Sequence, residues 1–525
     1  MRRVITNSLP LASAVSGMRW AGTTTTPEQS TPLKGDYAYY ASKLNKGIGR
    51  SHNILMDRAE GAYMYDNKGE KYLDFTCGIG VTNLGHNHPR VIKAVRKQSE
   101  KLFHGMVACG IHTAAAELID ELDTVVPSYL DNFFFCSTGS EAVEGALRCA
   151  RTVTGGKRQS VVVLQGSYHG RTNACLALTT SKYAYGIGCK PTMPGVTVAP
   201  PPYTTQLKVP ALGAESSEDM SVKCLAIMED LLAQTQAPSE VAMILLEPVL
   251  GEGGYLPLPT CYLKGLRALC DKYGILLAFD EVQTGFGRTG SMFACEQVDV
   301  KPDILIFAKG IANGLPLAGF ASSKALGDQC IVGTQGGTYA GNAVACASAT
   351  EVIRIFRDEK ILDNVVEQGQ YLWGKVEDMC LRNPSFPIQE VRGRGLMIGV
   401  QFRDIWTEGC GAVAAASSNT EAAVPAGFAA EVVSCALKKN LMLLNTSKFE
   451  TLRLIPPLNV TPSQIDSAVA TLEASIKEAM VNKKIDTSSS SSATKEFRDC
   501  CPTPCYKLDG WSLPCRRILV NKQQN

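Results

Sequence analysis

Between about residues 110 and 340 the chain alternates short, unbroken apolar runs with segments of helical spacing. "NFFFC" precedes "SEAVEGALRCAR"; "SVVVLQ" and "AMILLE" follow; "YLKGLRALCDKYG" leads into "ILLAFDE"; "DILIFA" closes the series. An apolar run without alternation reads as a strand covered on both faces, and helices between such strands are the crossovers of a parallel sheet. Upstream, "AYMYDNKGEKYLDF" alternates around Asp66-Asn67-Lys68-Gly69 and predicts a hairpin. "HPRVIKAVRKQSEKL" then puts Val91, Ile92, Val95 and Leu102 on one helical stripe. From about residue 346, "ACASATEVIRIF" opens a further helix and a mixed region that ends near Met480. The expected fold class is α/β, with a large, mostly parallel sheet and helices on both faces.

The apolar runs end in a consistent way. "NFFFC" runs into Ser137-Thr138-Gly139-Ser140, and "VVVLQGS" into Tyr168-His169-Gly170-Arg171. "MILL" ends at Glu247, "ILLAF" at Asp280 and "ILIFA" at Lys309. In an open parallel sheet the carboxyl ends of the strands share one edge, where ligands bind. One charge at a strand end is usually just leaving the core, but a cluster of them on one edge predicts a site.

Composition narrows the classes. A formal net charge of +2 over 525 residues gives no electrostatic reason to expect nucleic acid or an anionic membrane as partner. No apolar run approaches the roughly 20 residues that span a bilayer, so the chain reads as soluble. Residues 1–27 carry Arg2, Arg3 and Arg19, many hydroxyls and no acid before Glu28. That is the composition of a mitochondrial transit peptide, and matrix localisation is expected; a secretory signal or a disordered cytosolic terminus are the rival readings. Of the 19 cysteines, most sit singly in apolar context (Cys136, Cys149, Cys175, Cys270, Cys346), as small buried residues do. Such usage fits a reducing compartment better than a disulfide scaffold. Gly411–Ala426 reads as a loop insertion, and Ser488–Asn525, with Cys500, Cys501, Cys505 and Cys515, as a low-complexity tail whose spacing matches no zinc pattern. No metal is expected.

The sheet edge also suggests a chemistry. Ser137–Ser140 opens a helix, where hydroxyls and free amides make an anion cradle, although Ser140 serves equally well as an N-cap. The chain lacks a G-x-G-x-x-G after a strand and a G-K-[ST] loop, which argues against dinucleotide and nucleoside-triphosphate readings. Asp280, ending an apolar strand, needs a cationic partner, and a protonated pyridine nitrogen would serve. A lysine at the next strand end, desolvated and so neutral more often, can form a Schiff base with an aldehyde. Phosphate cradle, buried acid and strand-end lysine together describe pyridoxal phosphate. Tyr168 offers a ring to stack on the cofactor, or packs in the core.

"LLAFDEVQTGFGRTG" and "DILIFAKGIANGLPLAGF" resemble the signature of the class III (subgroup II) pyridoxal-phosphate aminotransferases, and the likeness runs from about Asn53 to Pro462. The resemblance implies fold-type I: a large cofactor domain (96–345), a small α+β domain from both chain ends (28–95 and 346–482), a tail (483–525) and a homodimer with shared active sites. It implies Lys309 as the Schiff-base lysine and proton shuttle, Asp280 on the pyridine nitrogen and Gln283 on the phenolic oxygen. Gly139 and Ser140 would hold the phosphate, Tyr168 would stack on the ring, and Thr338 of "GGTYAGN" would reach the phosphate of the neighbouring subunit. "SYHGRT", "EPVLGEGG" and "GGTYAGN" are most similar to 4-aminobutyrate aminotransferases of the bacterial type. On that likeness the substrates are an ω-amino donor and a 2-oxo acid, 2-oxoglutarate, with succinate semialdehyde and glutamate as products. Arg171 would grip the distal carboxylate, and Glu252 would mask Arg453 until an α-carboxylate arrives. Gly78 and Ile79 would line the mouth, and Glu247 would stand near the cofactor. Leu250 departs from the glutamine common in the family, and Gly139-Ser140 from its Gly-Ala or Gly-Thr. Acetylornithine, ornithine and alanine–glyoxylate aminotransferases are the alternatives within the class. A non-catalytic binding protein on the same scaffold is the alternative outside it.

Overall fold

Asp66 builds the first hairpin. Its Oδ1 accepts from the Lys68 and Glu70 amides, at 2.9 Å each, and this closes the predicted turn. The turn joins β2 (Tyr63–Asp66) to β3 (Lys71–Asp74) in antiparallel register, Tyr63 opposite Leu73, and β1 (Met56–Glu60) flanks β2. The computed structural model describes residues 33–203, 217–403, 424–446, 449–485, 495–499 and 516–520. The leader 1–27, the tail cysteines and all of the predicted insertion before Val424 lie outside them. Residues 1–50 and 51–525 are two separate compact units. Among the described residues the first holds one short helix, Tyr37–Lys43, capped by Asp36.

The large sheet is built from β4 (Asn132–Cys136), β5 (Ser160–Leu164), β6 (Val196–Ala199), β7 (Val241–Leu246), β10 (Leu276–Asp280), β11 (Ile304–Phe307) and β12 (Ala318–Ser322). Its order is β4-β12-β11-β10-β7-β5-β6. β5, β7 and β11 are buried at every position, as unbroken apolar runs require when both faces are covered. Successive residues pack into different cores: Val162, Ile244, Phe279 and Leu305 on one face, Val161, Met243, Ala278 and Ile304 on the other.

Two of these strands were not expected. β6 is an edge strand, and β12, "AGFAS", runs antiparallel between β4 and β11. Its small residues show no strand pattern; ladder partners on both sides impose the conformation. At Gly319 a Cβ would lie 2.1 Å from the Phe134 carbonyl oxygen, so only glycine lets the two backbones pair. Because β12 opposes both neighbours, β4 still runs parallel to β11. The ends of β4, β5, β7, β10 and β11 therefore share one edge.

Short strands from the two chain ends meet. β15 (Leu441–Met442) pairs in parallel with β3, joining distant parts of the sequence in one sheet. A second sheet has the order β16-β17-β14-β13-β19-β18: Leu444–Asn445, Thr451–Leu454, Met397–Phe402, Ile388–Arg394, Arg516–Val520 and Lys495–Asp499. The last two strands lie within the tail. "RRILV" adds antiparallel to β13, Ile518 opposite Val391, and "KEFRD" pairs with it, so unpaired backbone groups on an open sheet edge are satisfied by the tail. β8 (Val249–Leu250) and β9 (Leu256–Pro257) form a two-stranded ribbon around the Gly251–Tyr255 turn. No helix among the described residues is long and apolar enough to cross a membrane. The described cysteines are all free thiols.

Candidate active site

The shared edge opens on a cavity of about 420 Å³, within the range of small-ligand sites. Its wall contains Gly78, Ile79, Gly139, Ser140, Tyr168, Arg171, Glu247, Glu252, Asp280, Gln283 and Lys309, so eleven predicted residues converge there. Arg453 reaches the cavity only through Glu252. Thr338 does not: it is exposed and absent from the cavity of its own chain.

Lys309 lies one residue beyond β11, after Ala308, and opens a single helical turn, Lys309–Ala312. Its φ of +47° is left-handed, a conformation that costs a non-glycine residue on the order of 1–2 kcal/mol and is tolerated where surrounding structure enforces it. Burial pushes its ammonium down to about 8, against Asp280, Glu252 and Glu247, which favour the charged form. Asp280 closes β10 and is buried, its Oδ1 accepting from the Val282 amide at 3.1 Å. Its other oxygen, Oδ2, lies 2.7 Å from Nδ1 of His169, whose side chain is fully buried. His169 was missed as a functional residue. "YHGR" shows it at a strand end, but its partner is 111 residues away, and only the ordering of β5, β7 and β10 brings them together.

Burial pushes Glu247 up to about 7, with His169 opposing the shift and Asp280 adding to it. Its two oxygens accept from the Tyr168 and Gly251 amides, at 2.8 and 2.9 Å, and so fix the Gly251–Tyr255 turn against the β5 loop.

At the helix Gly139–Thr152, Thr138 is the N-cap and forms a capping box with Glu141. Ser140 is therefore not the cap, and the Gly139 and Ser140 amides keep no intrahelical acceptor. A Cβ at Gly170, where φ is +128°, would lie 2.2 Å from Ser140 Oγ, so glycine there leaves room for the hydroxyl. Gln283 Oε1 is buried without a partner among the described residues. Unspent amides at a helix start, a buried carboxylate, an orphaned amide oxygen and a depressed lysine fit a phosphorylated pyridine aldehyde.

At the mouth, Arg171 Nε donates to Tyr168 Oη at 3.2 Å, and its guanidinium lies 4.4 Å from the centroid of the Tyr185 ring. It has no carboxylate partner among the described residues. Arg453, buried on β17, pairs through Nη2 with Glu252 Oε1 at 2.6 Å. The buried setting disfavours the Arg453 charge, but Glu252 and Tyr255 more than compensate and raise its pKa. Nε and Nη1 of Arg453 are buried with no acceptor among the described residues. Tyr185, also missed from the sequence, donates its hydroxyl to Glu252 Oε2 at 3.3 Å.

Comparison with known proteins agrees with this chemistry. The model of the class-III aminotransferases matches residues 47–476. The chain is 38% identical over 436 residues to the 5-aminovalerate aminotransferase of Pseudomonas putida, covering 82% of this chain and 96% of that protein. It is 37% identical over 441 residues to the 4-aminobutyrate aminotransferase of Escherichia coli, covering 83% and 96%. An amine transaminase from an uncultivated Pseudomonas species, solved in its pyridoxal-phosphate-bound form, superposes with a TM-score of 0.74 at 28% identity, over 83% of this chain and 99% of that one.

Proposed function

Because the chain belongs to the class-III aminotransferases, an enzyme family whose cofactor is pyridoxal phosphate, we propose that it transfers the amino group of 4-aminobutyrate to 2-oxoglutarate. Succinate semialdehyde and glutamate are the products. The observation that carries this reading is the contrast between the two arginines: Arg171 without a carboxylate, and Arg453 held 2.6 Å from Glu252. An ω-amino acid brings one carboxylate, which a free guanidinium can grip in two hydrogen bonds, and a bare amine end that tolerates no second cation. Glutamate brings two carboxylates. Once Glu252 turns aside, Arg453 has Nε and Nη1 ready for the second. The acid one methylene longer, 5-aminovalerate, has the same layout and is a natural second donor.

Bound at this site, pyridoxal phosphate supplies an aldehyde to carry the amino group and a ring to accept electrons. The Gly139 and Ser140 amides would hold its phosphate, Asp280 steadied by His169 its ring nitrogen, and Gln283 its phenolic oxygen. Lys309 Nζ, neutral for much of the time near pH 8, holds and moves the proton at the reacting carbon. Tyr168 would cover the ring. We assign Thr338 to the cavity of a second copy of the chain, a reading supported by its exposure and its absence from the lining of its own cavity. The basic, hydroxyl-rich leader supports import into the mitochondrial matrix, which sequencing the mature N-terminus tests.

Purified holoenzyme given 4-aminobutyrate and 2-oxoglutarate should form glutamate and succinate semialdehyde in equal amounts. Absence of glutamate, together with turnover of acetylornithine, ornithine or alanine, would reassign the donor.

A further inference from the structure

Tyr185 stands where the two carboxylate sites meet. It lies in a single helical turn, Tyr183–Gly186, between β5 and β6, and it lines the cavity. One face of its ring carries the Arg171 guanidinium, 4.4 Å from the centroid, and the ring packs edge-to-face with that of Tyr168, centroids 5.4 Å apart at 68°. Its hydroxyl reaches Glu252, whose other oxygen holds Arg453. A single side chain therefore touches the arginine that stays open and the acid that masks the other.

We infer that Tyr185 is a positioning residue that holds Glu252 over Arg453 and so sets the preference between ω-amino donors and glutamate. The inference rests on the dual-substrate reading above. With two partners, Glu252 is held in the masking position more firmly than by Arg453 alone. An ω-amino donor requires that position, and glutamate requires leaving it. A contact made in one state only shifts the balance between them by its own strength. The hydroxyl is suited to this. Burial, reinforced by Glu252, pushes its pKa up to about 12, so it remains a donor throughout the working range. The ring contact with Arg171 fixes where the hydroxyl points, since a guanidinium over an aromatic face is attractive and orients both groups.

The test removes one oxygen. Tyr185→Phe keeps the ring, and hence the Arg171 contact, and deletes the bond to Glu252. The two half-reactions of the holoenzyme are followed separately by cofactor absorbance, one with 4-aminobutyrate and one with glutamate. The expected result is a rise of about fivefold in the concentration of 4-aminobutyrate giving half the maximal rate, with the limiting rate little changed. For glutamate that concentration should stay constant or fall. Equal changes in both half-reactions, or a loss confined to glutamate, would overturn the inference. In a Glu252→Ala background, Tyr185→Phe should leave the ratio of the two substrates unmoved, whereas additive effects would show that Tyr185 does not act through Glu252. If the unaltered enzyme ignores 4-aminobutyrate, the substrate assignment fails by itself. The same comparison is then run with whichever monocarboxylate amine it accepts.

Discussion

The floor of the cavity and its mouth are made from different materials. At the floor, Asp280 ends β10 and Lys309 follows the end of β11 by two residues; both strands are paired and their residues next to the site are buried. Their positions follow from backbone geometry, and Lys309 is held even in a left-handed conformation. At the mouth, Arg171, Tyr185, Glu252 and Arg453 meet through the ends of long side chains. Arg171 comes from a loop, Tyr185 from a single helical turn and Glu252 from the turn between β8 and β9, whereas Arg453 sits on a strand, β17, and meets Glu252 through the end of its side chain. A reaction common to all substrates suits rigid placement, since small misplacements of a reacting group are expensive. Recognition that alternates between one carboxylate and two needs groups that can exchange partners. The difference teaches that chemistry and choice of substrate are separable here: the reacting groups are fixed at or next to strand ends, and the recognising groups meet at the tips of long side chains, three of the four from a loop or turn.

If that separation holds, floor substitutions should strike the limiting rate and mouth substitutions the apparent affinity. The largest effect is expected from Lys309→Ala: transamination should fall by about 1,000-fold or more, with the circular dichroism spectrum unchanged. Residual turnover near the original rate would break the assignment. Next, Asp280→Asn keeps the shape but loses the charge; a fall of about 100-fold in the limiting rate for both substrates is expected, with little change in apparent affinity. Arg171→Lys should leave the limiting rate nearly intact. It should raise the Michaelis constants of 4-aminobutyrate and glutamate by about twentyfold, because an ammonium cannot replace a two-pronged grip. A loss of rate instead would blur floor and mouth.

The smallest effect sharpens the picture of the floor. A lysine held near 8 is mostly charged at pH 7 and mostly neutral at pH 9. Recombination of cofactor-free protein with pyridoxal phosphate needs the neutral amine, so its rate should rise roughly tenfold from pH 7 to pH 9 and level off above. A rate still climbing steeply at pH 10 would mean that Lys309 is not depressed.

Most of the floor was legible in the sequence because strand ends are. Apolar runs without alternation locate buried parallel strands, and the polar residue after each run is carried to the common edge whatever the strand order. The runs predicted from "NFFFC" to "DILIFA" all form strands; Asp280 ends β10, and Lys309 comes two residues after the end of the adjacent β11. The mouth was legible mainly through motif likeness. Tyr185 lies in "SKYAYGIG", where no periodicity distinguishes it from exposed Tyr183 two residues earlier. His169 was visible but had no assigned role.

The sequence by itself determined the class of fold, the buried strands and the reactive residues at their ends, because side-chain periodicity and burial are local properties of the chain. Only the tertiary structure decided that "AGFAS" is a reversed strand, that His169 serves Asp280 and that Tyr185 spans Arg171 and Glu252. It also decided that "RRILV" finishes a sheet edge. Each of these depends on partners distant in sequence, where packing and backbone hydrogen bonding override local preference.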